Sequence, residues 1–242
     1  YQNANNSVRV SDEFMRAVEE GDPFGLRARL DGSVIETVDA KTLFRKVTQA
    51  AWECADPGIQ YDDTINDWHT NPETGRINAS NPCSEYMSLD NSSCNLASLN
   101  LMKFLKDDGT FDSRNFVKAV ELVITAMDIS ICFADFPTDP IGETTRAYRQ
   151  LGIGYANLGA LLMATGHAYD SRGGQTLAAA ITSLMTGTAY RRSAELAGIV
   201  GAYDGFARNA DAHARVMRKH AAANDAIRPV GADDADVLKA AT

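Results

Sequence analysis

Asn78-Ala-Ser-Asn81-Pro-Cys83-Ser-Glu85-Tyr-Met-Ser-Leu-Asp-Asn-Ser-Ser-Cys94-Asn-Leu-Ala-Ser-Leu-Asn-Leu101 sets two thiols, an amide and a carboxylate in one short stretch. Asn81 and Glu85 bracket Cys83, each two residues away, and Cys94 follows after a step of 11. If the chain is extended here, period-2 alternation puts Asn81, Cys83 and Glu85 on one side. That trio joins a hydrogen-bonding amide, an oxidisable sulfur and a base. Taken singly, each has a plainer role. A cysteine is most often a small buried hydrophobe, a glutamate a solvated acid, and an asparagine before proline a turn residue. The polar neighbours Pro82, Ser84 and Glu85 suit a core poorly. For Cys94, spacing alone leaves two readings open. It opens Cys-Asn-Leu-Ala-Ser-Leu-Asn-Leu, whose Leu96 and Leu99, with Phe104 beyond, read as core.

The segments Asn81-Pro-Cys-Ser-Glu85 and Cys94-Asn-Leu-Ala-Ser-Leu-Asn-Leu101 resemble the active-site region of the ribonucleotide reductase large chain. The step of 11 and the proline after Asn81 look most like the adenosylcobalamin-dependent class II enzymes. Three further stretches agree in order: Gln2-Asn-Ala-Asn-Asn-Ser-Val-Arg-Val10, Asp56-Pro-Gly-Ile-Gln-Tyr-Asp-Asp-Thr-Ile-Asn66 and Arg149-Gln-Leu-Gly-Ile-Gly-Tyr-Ala-Asn-Leu-Gly159. The resemblance is least distinctive after about Ala202. It implies that Cys83 becomes a thiyl radical that takes the 3′-hydrogen of a ribonucleotide. Glu85 is implied as base for the 3′-hydroxyl, and Asn81 as the amide orienting the ribose hydroxyls. Cys94 is implied as a reductant that forms a disulfide with a cysteine upstream of this region. The implied cofactor is adenosylcobalamin, with no cobalamin-contacting residue assigned. The implied partners are a thioredoxin-type reductant, a nucleotide effector bound elsewhere in the parent protein, and a second copy in a homodimer. The alternatives are a class I enzyme, with its radical from a separate diiron or dimanganese subunit, and a non-catalytic nucleotide-binding module on the same fold.

Bulk properties narrow the setting. The 242 residues are 45% hydrophobic and 23% charged, ordinary for a globular protein. A net charge of −9 argues against a DNA or anionic-membrane surface, which needs a basic face. A nucleotide substrate stays compatible, since one pocket can be locally positive. The start Tyr-Gln-Asn-Ala lacks a signal-peptide pattern, and the end at Ala241-Thr242 falls in mid-pattern. The expectation is a cytoplasmic, internal piece of a longer protein. Four cysteines (54, 83, 94 and 132), with no Cys-x-x-Cys pair, do not form a disulfide scaffold or a zinc pattern. Cys54 and Cys132 fall in helix patterns and are assigned to structure. The four histidines receive no role, and Trp52 and Trp68 are assigned to packing.

Local signals then place the motifs. Ser11 caps a helix ending at Gly21, and Phe24 to Asp39 reads as a hairpin turning at Asp31-Gly32. Asp39 caps a helix to about Cys54, broken by Pro57-Gly58, and Ile59 to Tyr61 reads as a short buried strand. Residues 62–80 read mostly as loop. Asp112 caps a helix from Ser113 to about Ala134, closed by Pro137 and Pro140. Leu151 to Tyr155 reads as a strand and Leu158 to Thr165 as a helix. Gly152-x-Gly154 reads as a tight strand-to-helix connection rather than a phosphate loop. Two Ala-rich helices follow, about Gly174 to Ala197 and Ala207 to Ala223. Strands alternating with helices predict an α/β fold. The resemblance makes it part of a ten-stranded α/β barrel with the catalytic cysteine on an internal loop. Residues 1–242 would be one partial catalytic barrel domain, with C-terminal helices from about 172.

Overall fold

The computed structural model describes residues 3–227. Gln2, which opens the first family-like stretch, and the closing Ala241-Thr242 lie outside the described residues. The chain forms two compact units that divide between Asp90 and Asn91.

The first unit runs β1 (Ser7–Val10), α1 (Asp12–Glu20), β2 (Pro23–Arg27), β3 (Val34–Asp39), α2 (Ala40–Cys54), β4 (Gly58–Tyr61) and α3 (Asp62–Asp67). Ser11 Oγ accepts the Phe14 amide at 3.1 Å, and Gly21 leaves the helix at φ 80°, a left-handed conformation that suits glycine. Asp39 caps α2 through Oδ1 and the Thr42 amide. The hairpin β2–β3 is antiparallel, but its connection spans residues 28–33 rather than two residues. Asp31 Oδ1 accepts from both the amide and the hydroxyl of Ser33, so a side-chain-closed loop replaces the tight turn. Val10, Phe14, Ala17 and Ala40 form the small core, with Phe24 packed edge-on against Phe14. β1 and β4 pair in parallel, with Arg9 opposite Gln60. The strand at 59–61 forms as expected, although only Gln60 in it is buried.

The second unit runs β5 (Asn95–Asn100), a 3-10 turn (Leu101–Phe104), α4 (Ser113–Ile131), α5 (Asp139–Tyr148), β6 (Leu151–Ala156), α6 (Leu158–Ala164), α7 (Arg172–Val200) and α8 (Phe206–Asp225). Phe116, Val120, Ile124, Met127 and Ile131 recur at helical spacing on α4 and are all buried. The first four join Leu177, Ala180, Ile181, Leu184 and Met185 of α7 in one core. Burial of each large side chain contributes about 1.5–3 kcal/mol. That exceeds the few tenths per residue by which α4's β-branched positions weaken a helix, so packing holds it. β5 and β6 pair in parallel from Asn95↔Leu151 to Asn100↔Ala156.

Several expectations need correction. Residues 62–67 form α3, with Asn66 Nδ2 donating back to the Asp62 carbonyl at 3.0 Å. α4 stops at Ile131, three residues early, and Pro140 starts α5 instead of closing α4, as suits proline in a first helical turn. Gly152 and Gly154 lie inside β6, while Asn157, at φ 68°, makes the tight connection to α6. Leu96 faces outward with 66% exposure, because β5 alternates and turns Asn95, Ala97 and Leu99 the other way. Trp52 is 84% exposed, on the side of α2 away from its apolar face. The α/β class is observed, but the described strands form three two-stranded sheets and close no barrel. No helix among the described residues is long and apolar enough to cross a membrane.

His69, at 4% exposure, closes the 68–77 loop. Its Nε2–H donates to the Gly75 carbonyl at 2.9 Å, and its Nδ1 accepts the Asn71 amide at 3.3 Å. Burial pushes its pKa below the ordinary value of 6.5. The unfolded chain therefore binds a proton before the folded one does, and stability falls as pH drops through about 6.5. The expected outcome, in the full-length protein, is that the thermal midpoint declines below that pH more steeply in the wild type than in His69→Gln. Parallel pH profiles for the two proteins would refute it.

Candidate active site

Cys83 sits at the tip of a turn, not on an extended strand. Ser84 N–H donates to the Asn81 carbonyl at 3.1 Å, which places Pro82 and Cys83 at the two central positions. Proline presets the first of these, so the residue beside the thiol bends the chain and defeats the period-2 alternation. Ser84 then takes φ 65°, and an antiparallel bridge between Ser80 and Met87 closes the base of the loop. Within it, Asn81 N–H donates to the Tyr86 carbonyl at 3.3 Å, and Asn81 Oδ1 accepts the Tyr86 amide at 2.9 Å. Asn81 thus holds the turn. Cys83 and Glu85 are both exposed, and Glu85 makes no hydrogen bond or ion pair among the described residues.

The turn is tied to the paired strands behind it. Asn5 Nδ2 approaches Cys83 Sγ at 3.8 Å, and Ser7 Oγ lies 3.3 Å from Ser84 Oγ. Gln60 Nε2 donates to Ser80 Oγ at 2.7 Å and Ser84 Oγ at 2.9 Å. Arg9 bonds Gln60 Oε1 at 2.9 Å, Asp62 at 3.0 Å and the Ile77 carbonyl at 2.8 Å. Asp62 also pairs with Arg76. Sequence reasoning assigned no role to Asn5, Ser7, Arg9, Gln60 or Ser84. Four of them lie in the two family-like stretches at 2–10 and 56–66, and that co-occurrence was the only available signal.

Cys94 belongs to the second unit, just before β5, and is partly buried. The Ser93 amide donates to Thr145 Oγ1 of α5 at 3.0 Å. Asn95 Nδ2 donates to the Met127 carbonyl at 2.8 Å and to Ser130 Oγ at 2.6 Å on the last turn of α4. The cysteine is therefore anchored on both sides. Gly152 across the sheet keeps the place open, since a Cβ there would fall 2.6 Å from Leu96 Cδ2 and 3.6 Å from Cys94 Sγ. Arg149 ties α5 to α4 through Asp128 Oδ1 at 2.8 Å, and that bond holds the guanidinium pKa above its ordinary value. Cys132 accepts from Arg149 at 3.5 Å, and Cys54 donates to the Ala50 carbonyl at 3.2 Å; both lie at helix ends and are exposed. Among the described residues no disulfide forms, and no three His, Cys, Asp or Glu side chains gather as a metal site.

Comparison with known proteins bears on this arrangement. The family model described as ribonucleotide reductase, barrel domain, matches residues 1–239. A vitamin B12-dependent ribonucleotide reductase of Streptomyces clavuligerus is 74% identical over all of this chain and 26% of its own length. A protein of the same description from Agrobacterium fabrum is 49% identical over 90% of the chain and 17% of its own length. A vitamin B12-dependent ribonucleoside-diphosphate reductase of Mycobacterium tuberculosis is 36% identical over 84% of the chain and 29% of its own length. The chain spans about a quarter of the length of the first of these relatives.

Proposed function

The chain belongs to the ribonucleotide reductase family, and from that membership we propose that it is part of the catalytic barrel domain of an adenosylcobalamin-dependent enzyme reducing ribonucleotides to deoxyribonucleotides. The observation that carries this reading is the exposed thiol of Cys83 on a turn fixed at its base, its flank and its strand side. Both units fall within the proposed ten-stranded barrel, and the parallel pairs β1–β4 and β5–β6 are the kind of pairing such a barrel repeats.

The site suits the cofactor named in those relatives: a single thiol, open on one side and held in one place, is what a radical-supplying group requires. When bound, adenosylcobalamin supplies the radical by homolysis of its cobalt–carbon bond. Cys83 Sγ gives up its hydrogen atom and takes the ribose 3′-hydrogen in return. Glu85 removes the 3′-hydroxyl proton while the 2′-hydroxyl takes a proton from the reducing thiol pair and leaves as water, and Cys83 returns the hydrogen atom to the 3′-carbon once the 2′-carbon is reduced. Asn81, whose oxygen is engaged by Tyr86, turns its amide group toward the ribose hydroxyls. Cys94 delivers reducing equivalents as it forms a disulfide with a cysteine of the parent protein outside this chain. A thioredoxin-type protein reduces that disulfide, and a nucleotide effector binds elsewhere in a homodimeric parent. A cytoplasmic setting, where thiols stay reduced, suits such a cycle.

Three substitutions in the full-length protein test the roles. Cys83→Ser keeps size but leaves an O–H bond too strong to break, so both nucleotide reduction and hydrogen exchange from the cofactor should vanish; normal reduction would sink the mechanism. Cys94→Ser should preserve cofactor hydrogen exchange while deoxynucleotide output stops. Sustained multiple turnover with a thioredoxin-type reductant would return Cys94 to a packing role. Glu85→Gln keeps shape but removes the base, so turnover should fall by about 10²–10⁴-fold with substrate affinity and radical formation retained. Unchanged turnover would make Glu85 an ordinary surface acid.

A further inference from the structure

Gln60 is 6% exposed on β4, and its amide is engaged at both ends. Arg9 can only donate, so Gln60 Oε1 must face it and Nε2 must face the serines. The β1–β4 register is carried by the backbone and does not require a glutamine opposite Arg9. A buried amide is costly unless fully bonded, and an apolar side chain would fill the place at less cost. What the amide adds is a pair of donors, at 2.7 Å to Ser80 Oγ and 2.9 Å to Ser84 Oγ, on either side of Cys83. Ser84 is the residue that leaves the turn at φ 65°, a conformation a non-glycine side chain keeps only when its surroundings fix it.

We propose that Gln60 is a positioning residue for Cys83: oriented by Arg9, which Asp62 fixes, it clamps Ser80 and Ser84 and so holds the thiol at one point. This rests on the reading of Cys83 as the radical-carrying thiol. A displacement of about 1 Å at a reacting atom costs about 10²-fold in rate, so such a clamp acts on turnover rather than on affinity.

The test uses the full-length protein with Gln60→Met, Ser84→Ala and the double variant. Gln60→Met keeps nearly the same volume but offers the serines no N–H and at most a weak acceptor, while Arg9 keeps Asp62 and the Ile77 carbonyl. Ser84→Ala removes one receiving hydroxyl, which also meets Ser7 and Ser80, and leaves Arg9 and Gln60 paired. The first readout is amide hydrogen exchange of a peptide covering residues 80–88, without cofactor or nucleotide. Exchange at Ser84 and Tyr86 should accelerate by about tenfold or more in Gln60→Met, while amides of α4 and α7 stay as in the wild type. The second is steady-state reduction of a ribonucleoside diphosphate and a triphosphate, assayed in parallel with adenosylcobalamin and thioredoxin. The rate constant kcat should fall by about 10²-fold with KM changed by less than about twofold. The double variant should lose less than the product of the two single losses, since they share the Gln60–Ser84 contact. Wild-type exchange and kcat in Gln60→Met would overturn the proposal, and so would single effects that multiply in full in the double variant. Cys83→Ser, assayed alongside, separates the two readings. If it still reduces nucleotides the radical-thiol reading fails, while the exchange data still report whether Gln60 holds the turn.

Discussion

The hydrogen bond from Arg9 Nη2 to Gln60 Oε1 at 2.9 Å is the contact on which the Cys83 turn of the first unit depends. An amide side chain has two nearly isosteric ends, and only its partners decide which way it faces. Arg9 is donor-only and is itself pinned by Asp62 and the Ile77 carbonyl, so the ambiguity is removed. The direction then passes along one route: carboxylate, guanidinium, amide, hydroxyl, turn. Asp62 and Arg9 are each only about one-fifth exposed, so losing Asp62 leaves a partly buried guanidinium without its counterion, which is far costlier than losing a surface ion pair, whereas Asp62 keeps Arg76 if Arg9 is lost.

The two units hold their cysteines by different means. The segment before β5 is fixed by a polar bond on each flank of Cys94, but the elements that make those bonds, α4 and α5, are placed by apolar packing and by Arg149. The Cys83 turn has no comparable apolar support, because Pro82, Cys83 and Glu85 are all exposed. The turn's order comes instead from the hydrogen bonds beneath it. Each is worth about 1 kcal/mol net, and several acting on a few residues hold a conformation that no single one would.

Local signals were legible where local chemistry decides the outcome. Ser11, Asp39 and Asp112 cap their helices through their own side chains, as their positions in the sequence indicate. The hairpin arms, β6 and the two long C-terminal helices follow from periodicity and punctuation. The misses share another cause. Pro140 reads equally as a stop for one helix or the first turn of the next, and only the chain's direction after Thr138 separates these. Leu96 looks like core in composition, yet strand alternation, whose phase is set by pairing with β6, turns it outward. The residues of the motif were legible, but its shape was not. Asn81, Cys83 and Glu85 invited an extended reading, and the proline between two of them, together with serines bonded to Gln60 from 20 and 24 residues away, makes a turn instead. Such a polar chain leaves no periodic trace in sequence.

A glutamine at the centre of this chain of bonds does what neither an acid nor a base would do there. Arg9 offers only donors, so its partner must present an acceptor. A second cation in that place would face the guanidinium with like charge and no acceptor. Gln60 accepts from Arg9 on one side and donates neutral N–H groups to Ser80 and Ser84 on the other. Asp62 meanwhile offsets the charge of Arg9 from behind. The amide therefore carries the direction of the guanidinium to the Cys83 turn without carrying its charge, which no purely donating or purely accepting side chain could do.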